Sequence, residues 1–212
     1  TAVTVREASS RGIGNFLLLS AHKIMPPVMD AVVRDGVKLN GFICPGHVAA
    51  ITGSKIFNFL PGRYGLGCVV AGFEPADLLH SILMLVRQVN SNSPKVEIEY
   101  TRVVTIEGNI IAQNHLSEVF EPRDAAWRGF GIIPGSGLGL KEEFGNFDAE
   151  KRLPVTVPSH QDNPFCICGE ILRGNKLPYD CSLFRKVCNP ENPVGACMVS
   201  PEGACNSYFR YH

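Results

Sequence analysis

Six cysteines, Cys166, Cys168, Cys181, Cys188, Cys197 and Cys205, crowd the end of a 212-residue chain that has eight in all. Thiolates are nucleophiles and soft metal ligands. The segment around them is rich in Gly and Pro and too poor in apolar residues to build its own core, so it needs a covalent or metal staple. Disulfides require an oxidising compartment. The other two cysteines, Cys44 and Cys68, sit at apolar strand positions where free buried thiols are common. Structural zinc takes its ligands as pairs two to four residues apart, whereas one residue separates Cys166 from Cys168 and no close pair follows. Wide, irregular spacing suits an iron–sulfur cluster better, because four ligands approach a cube from different sides. Cys168 competes with Cys166 for one of those places.

Three further residues have chemistry to offer. His47 follows Pro45-Gly46, where a strand gives way to a helix. Crevices at the carboxyl ends of parallel strands bind ligands, and helix N-termini favour anions; the bland reading is a turn capped by His47. Cys44 is either a second thiol facing that crevice or a buried strand residue. Glu202, in the stretch EGAC, offers a carboxylate to relay protons or orient a ligand, or lies on the surface. The glycine loop 135–139 (GSGLG) lacks the strand–loop–helix context of a nucleotide site.

Short apolar runs alternating with amphipathic segments position these groups, and that alternation is the mark of βαβ units. The pattern predicts a helix over 3–10 and a buried strand over 15–21. Pro26 or Pro27 then opens a helix that Gly36 closes. Strands are expected over 39–44, 66–71 and 95–105, and helices over 47–53, 75–88 and 108–120. In the helix 75–88, Leu78, Leu79, Ile82, Leu83 and Val86 recur at helical spacing. Segment 127–140 is too glycine-rich for a helix and reads as a strand with a long turn, and 151–163 reads as a linker. The fold class expected is α/β, a mostly parallel doubly wound sheet over residues 1–150, followed by a cysteine-rich iron–sulfur module over 151–212.

Composition narrows the function further. With 45% hydrophobic residues the chain can bury a core. Twenty basic residues balance twenty acidic ones, which gives no electrostatic reason to bind nucleic acid or an anionic membrane. No apolar run approaches the roughly 20 residues that cross a bilayer. A cytoplasmic location is expected, and the start at Thr1, rather than at Met, suggests a fragment.

The segments 166–174 (CICGEILRG), 178–188 (PYDCSLFRKVC) and 193–208 (PVGACMVSPEGACNSY) resemble the HypD family of [NiFe]-hydrogenase maturation proteins, specifically its C-terminal two-thirds. Pro26-Pro27, 41–48 (GFICPGHV), 72–78 (GFEPADL) and 127–138 (WRGFGIIPGSGL) carry the same resemblance in the same order. The resemblance implies a [4Fe–4S] cluster on Cys166, Cys181, Cys188 and Cys205, with Cys168 the alternate to Cys166. It implies partners HypC and HypE and a scaffold role in assembling an Fe(CN)₂CO group; the motif match favours His47 as a cleft residue, with Cys44 and Glu202 as further candidates from the reading above. A likeness to ferredoxin–thioredoxin reductase makes Cys168 or Cys197 a candidate for thiol exchange, and a cluster-dependent thiol/disulfide oxidoreductase is the alternative function. Full-length members begin with a region carrying CGGH-like and C-P-x-C motifs, and neither motif occurs in this sequence.

Overall fold

The computed structural model describes residues 1–154 and 163–212; most of the expected linker 151–163 lies outside the described residues. In chain order the helices are α1 (Ala2–Ser10), α2 (Met25–Val33), α3 (Gly46–Thr52), α4 (Pro75–Asn90), α5 (Ile110–Val119), α6 (Ala149–Arg152), α7 (Cys168–Leu172), α8 (Ala196–Val199) and α9 (Ala204–Tyr211). The strands are β1 (Gly41–Pro45), β2 (Gly67–Ala71), β3 (Val96–Ile98), β4 (Phe120–Trp127) and β5 (Gly131–Leu140). These residues form two compact units. The first comprises Thr1–His22, Leu39–Pro122 and Leu138–Leu153, and the second Lys23–Lys38, Arg123–Gly137 and Pro154–His212.

The first unit is built on a parallel sheet of order β1-β2-β3. β2 reads Gly-Cys-Val-Val-Ala and is buried throughout, as the central strand of a parallel sheet must be when both faces are covered. Phe57, Leu60, Val69 and Val70 are fully buried in this unit. A second apolar cluster joins Val5, Ala8, Val119, Phe120, Leu140, Phe144 and Phe147.

Helix α4 begins with Pro75 at its first position, where the missing N–H costs nothing. Its orientation reverses the usual amphipathic rule. The residues it buries are Asp77, Ser81 and Gln88, while Leu78, Leu79, Ile82, Leu83, Val86 and Val89 are exposed. The polar underside is occupied: Gln88 donates to Glu97 Oε2 at 2.8 Å and accepts from the Lys95 amide at 3.2 Å. Ser81 Oγ alone among these has no hydrogen-bond partner among the described residues.

Two expected strands are corrected. Segment 15–21 makes one bridge, Leu18 to Asp148, held by Leu18 N to Phe147 O and Ala149 N to Leu18 O. Leu17 and Leu19 are exposed, so this apolar run has a turn for a neighbour instead of a ladder. The strand expected over 95–105 stops at Ile98, because the chain curls back through Thr101 N to Glu99 O and Val104 N to Tyr100 O.

In the second unit α2 carries its prolines at the start, and Gly36 has φ +88° beyond its end, as the sequence leads one to expect. Ile24 N donates to Ser136 O, and Trp127 Nε1 donates to Ser136 Oγ at 2.8 Å. One apolar cluster of this unit is unusual: of the seven buried residues that form it, Cys168, Ile171, Phe184, Cys188, Cys197, Met198 and Cys205, four are cysteines.

Candidate functional site

Short helices and turns deliver the thiols of the second unit. Cys168 opens α7, Cys197 lies in α8 and Cys205 in α9. Between them, Phe184 N to Cys181 O and Cys188 N to Leu183 O close two tight turns that carry Cys181 and Cys188. The arch is pinned from outside by Arg185, whose guanidinium lies 5.5 Å from the rings of Tyr179 and Phe209 and 5.6 Å from that of Phe184. It also donates to Phe209 O at 3.2 Å. Stacking of this kind lets a cation sit on apolar surface.

Cys166, Cys168, Cys181, Cys188 and Cys205 line a single chamber, closed by Ile171, Leu183, Phe184, Gly195 and Met198. The Cys166 and Cys168 sulfurs lie 3.3 Å apart. The Cys197 amide donates to Cys168 Sγ at 3.4 Å. Neighbouring thiols and burial raise Cys168, Cys197 and Cys205 together. Cys168 accepts from Cys197 and donates to Cys205, and burial helps hold its thiol up to about 12. Donation to Cys168, with burial, pushes Cys197 up to about 12. Cys205 accepts from Cys168 and donates to Cys197, and burial carries it to about 12 as well.

A donor set of thiols around an apolar-walled chamber fits an iron–sulfur cluster chemically. Among the described residues no three His, Cys, Asp or Glu side chains gather as a site for one metal ion; the thiols surround a space instead. The four cysteines expected as ligands, Cys166, Cys181, Cys188 and Cys205, all face that space, and so does the alternate Cys168. Cys197 is not part of the lining, although it is buried against Cys168. Glu202 is exposed, with its amide bonded to Ser200 Oγ.

At the carboxyl end of the sheet in the first unit, His47 is exposed and stacks on Phe73, ring centroids 4.1 Å apart. Gly46 and Gly72 precede them. A Cβ on Gly46 would lie 2.6 Å from the Tyr100 ring, and one on Gly72 would meet the Asp77 carboxylate. The two glycines therefore let Tyr100 and Asp77 close in behind His47 and Phe73. Arg102 lies over the Tyr100 ring at 4.8 Å. Sequence reading missed Phe73, Tyr100, Asp77 and Arg102 as members of this group; the motif GFEPADL contains two of them. Cys44 is placed differently from His47. It is 1% exposed, and its thiol is pushed far up by donating to Cys68 and by burial, so it stays protonated.

A family model described as HypD, hydrogenase formation hypA family, matches residues 1–212. The hydrogenase maturation factor HypD of Cupriavidus necator is 46% identical over 219 aligned residues, covering 100% of this chain and 58% of that protein. The factor of the same name from Azotobacter vinelandii is 43% identical with 58% of its length covered, and that of Escherichia coli is 38% identical with 57% covered. The chain thus spans less than two thirds of the length of these relatives. Matched along its whole length by the family model, with its chamber of thiols inside the matched region, this chain belongs to the HypD hydrogenase formation family.

Proposed function

We propose that the chain serves hydrogenase maturation as a scaffold and redox factor carrying a [4Fe–4S] cluster. The observation that supports this is the chamber lined by five thiols within a core that is itself largely cysteine. In this reading residues 1–150 form a doubly wound α/β portion and residues 151–212 the cluster module. Cys166, Cys181, Cys188 and Cys205 hold the cluster, and Cys168 replaces Cys166 if the pair exchange roles. The cluster supplies one-electron redox chemistry.

The full-length scaffold works with HypC and HypE in the cytoplasm on an Fe(CN)₂CO group, with His47 and Glu202 as residues that meet or orient it. Cys44 contributes little as an iron ligand while it remains a protonated thiol, since soft metals are held by thiolate. Anaerobic purification followed by iron and sulfide analysis tests the cluster: about four of each per chain supports it, and stoichiometric zinc without sulfide overturns it.

A second reading, a cluster-dependent thiol/disulfide oxidoreductase, rests on the contact between Cys168 and the Cys197 amide at 3.4 Å. Oxidation of the two thiols to a disulfide releases two protons and two electrons, and a substrate disulfide takes up both as it is reduced to two thiols. Thiol titration with and without reductant separates the readings: two thiols that disappear and return support exchange, and a constant count removes it.

A further inference from the structure

We infer that Gly195 is the positioning residue of the thiol chamber: its bare backbone is what allows Cys166 and Cys168 to lie together against the wall. The inference rests on the cluster reading for its significance, though the packing stands by itself. A Cβ at Gly195 would lie 2.3 Å from Cys166 Sγ and 2.6 Å from Cys168 Sγ. Both distances are far inside van der Waals contact. The Gly195 backbone has φ −105° and ψ 156°, a conformation open to every residue. Conformational freedom therefore does not explain this glycine; space does.

The wall cannot simply retreat. Met198 N donates to Gly195 O, and the buried Asn206 side chain donates to Met198 O at 2.8 Å. Arg210 Nε in turn donates to Asn206 Oδ1 at 2.6 Å. Gly195 is tied through α8 to α9, so a side chain at 195 must displace the sulfurs. Two residues on, Cys197 N donates to Cys168 Sγ. One short run of backbone thus presents bare space to two sulfurs and a hydrogen-bond donor to one of them. Hydrogen bonds to sulfur are among the features that set a cluster's potential. In PVGAC the sequence marks Cys197 and leaves Gly195 unremarked.

Gly203 provides the comparison. A Cβ there would also clash, at 2.3 Å, but with Cys197 O, a backbone atom. The experiment uses the 212-residue chain purified anaerobically, with Gly195→Ala, Gly203→Ala and Cys168→Ala each made alone, and each glycine variant also together with Cys168→Ala. Removing the Cys168 sulfur vacates room into which Cys166 Sγ can move. Iron, sulfide and the thermal midpoint by circular dichroism are measured for each. We expect Gly195→Ala to hold less than a quarter of the parent's iron and sulfide, and Gly195→Ala with Cys168→Ala to recover more than half. Gly203→Ala should gain nothing from Cys168→Ala, because its clash lies elsewhere.

A Gly195→Ala protein with the parent's iron content would overturn the inference, as would a double variant that recovers nothing. Should Gly195→Ala alone fail to fold, folding restored by Cys168→Ala supports the inference and folding not restored removes it. A parent without iron or sulfide sinks the cluster reading instead. The thermal midpoints of the parent, Gly195→Ala, Cys168→Ala and the double variant then decide Gly195 by the coupling between positions 195 and 168.

Discussion

Arg102 grips the buried carboxylate of Asp77 with two hydrogen bonds, 3.1 Å to Oδ1 and 2.7 Å to Oδ2. This fork joins the first turn of α4 to the loop after β3. The guanidinium holds Asp77 below the usual carboxylate range, against the opposing effect of burial. A carboxyl lowered in the folded state stabilises the fold above its ordinary value, and that contribution is lost as pH falls through the lowered one. The parent's thermal midpoint should therefore fall as pH drops below about 4. Asp77→Asn should melt lower than the parent at pH 7 and lose less on acidification. A parent and variant with parallel pH curves would contradict this.

The inverted helix α4 gives an unusual pair of expectations. Ser81 is fully buried with a hydroxyl that has no partner among the described residues, and relieving such a group gains on the order of 1 kcal/mol. Ser81→Ala should stabilise the protein by about that much, although it alters the core. Leu79, 69% exposed, should accept Lys within about 0.5 kcal/mol. Urea unfolding of both variants checks the assignment of faces; a Leu79→Lys loss of several kcal/mol would reverse it.

Cluster ligation distinguishes the cysteines from one another. Cys181 and Cys188 each line the chamber without a neighbour two residues away that can substitute. Replacing either by Ala should remove the broad absorption near 400 nm expected of thiolate-ligated clusters, together with the iron and sulfide. Retention of the full absorption by both variants would eliminate the proposed ligand set.

Cys168 and Cys197 should behave otherwise. Cys168→Ala and Cys197→Ala are expected to keep most of the iron, and at least one should abolish reversible loss of two thiols under mild oxidation. Cluster loss from Cys168→Ala together with retention in Cys166→Ala would exchange the roles of that pair.

Local chemistry made much of this fold legible. Pro26 and Pro27 opening α2, Gly36 beyond its end, and the apolar runs of β1 and β2 all carry signals within a few residues. What escaped was anything decided by distant neighbours. The leucines of α4 have helical spacing, but spacing names a stripe and not the side it faces; Gln88 and Asp77 were won for the interior by Glu97, the Lys95 amide and Arg102. The run 15–21 has the composition of a strand, yet among the described residues its backbone makes one bridge, Leu18 to Asp148. In the site, cysteine spacing indicated a shared centre, while Gly195 left no mark because a glycine needed for space looks like any other.

The cysteine core of the second unit bears on how this protein ages. Most cores are hydrocarbon and indifferent to air, but here sulfur atoms perform much of the packing. Oxygenation of Cys168, Cys188, Cys197 or Cys205 would place a larger, polar group where a small apolar one was buried. Burial and protonation make such oxidation slow, but each event would be a packing lesion in the interior. Exposure to oxygen during preparation then becomes a structural variable in its own right, and a reductant protects the architecture as well as the chemistry.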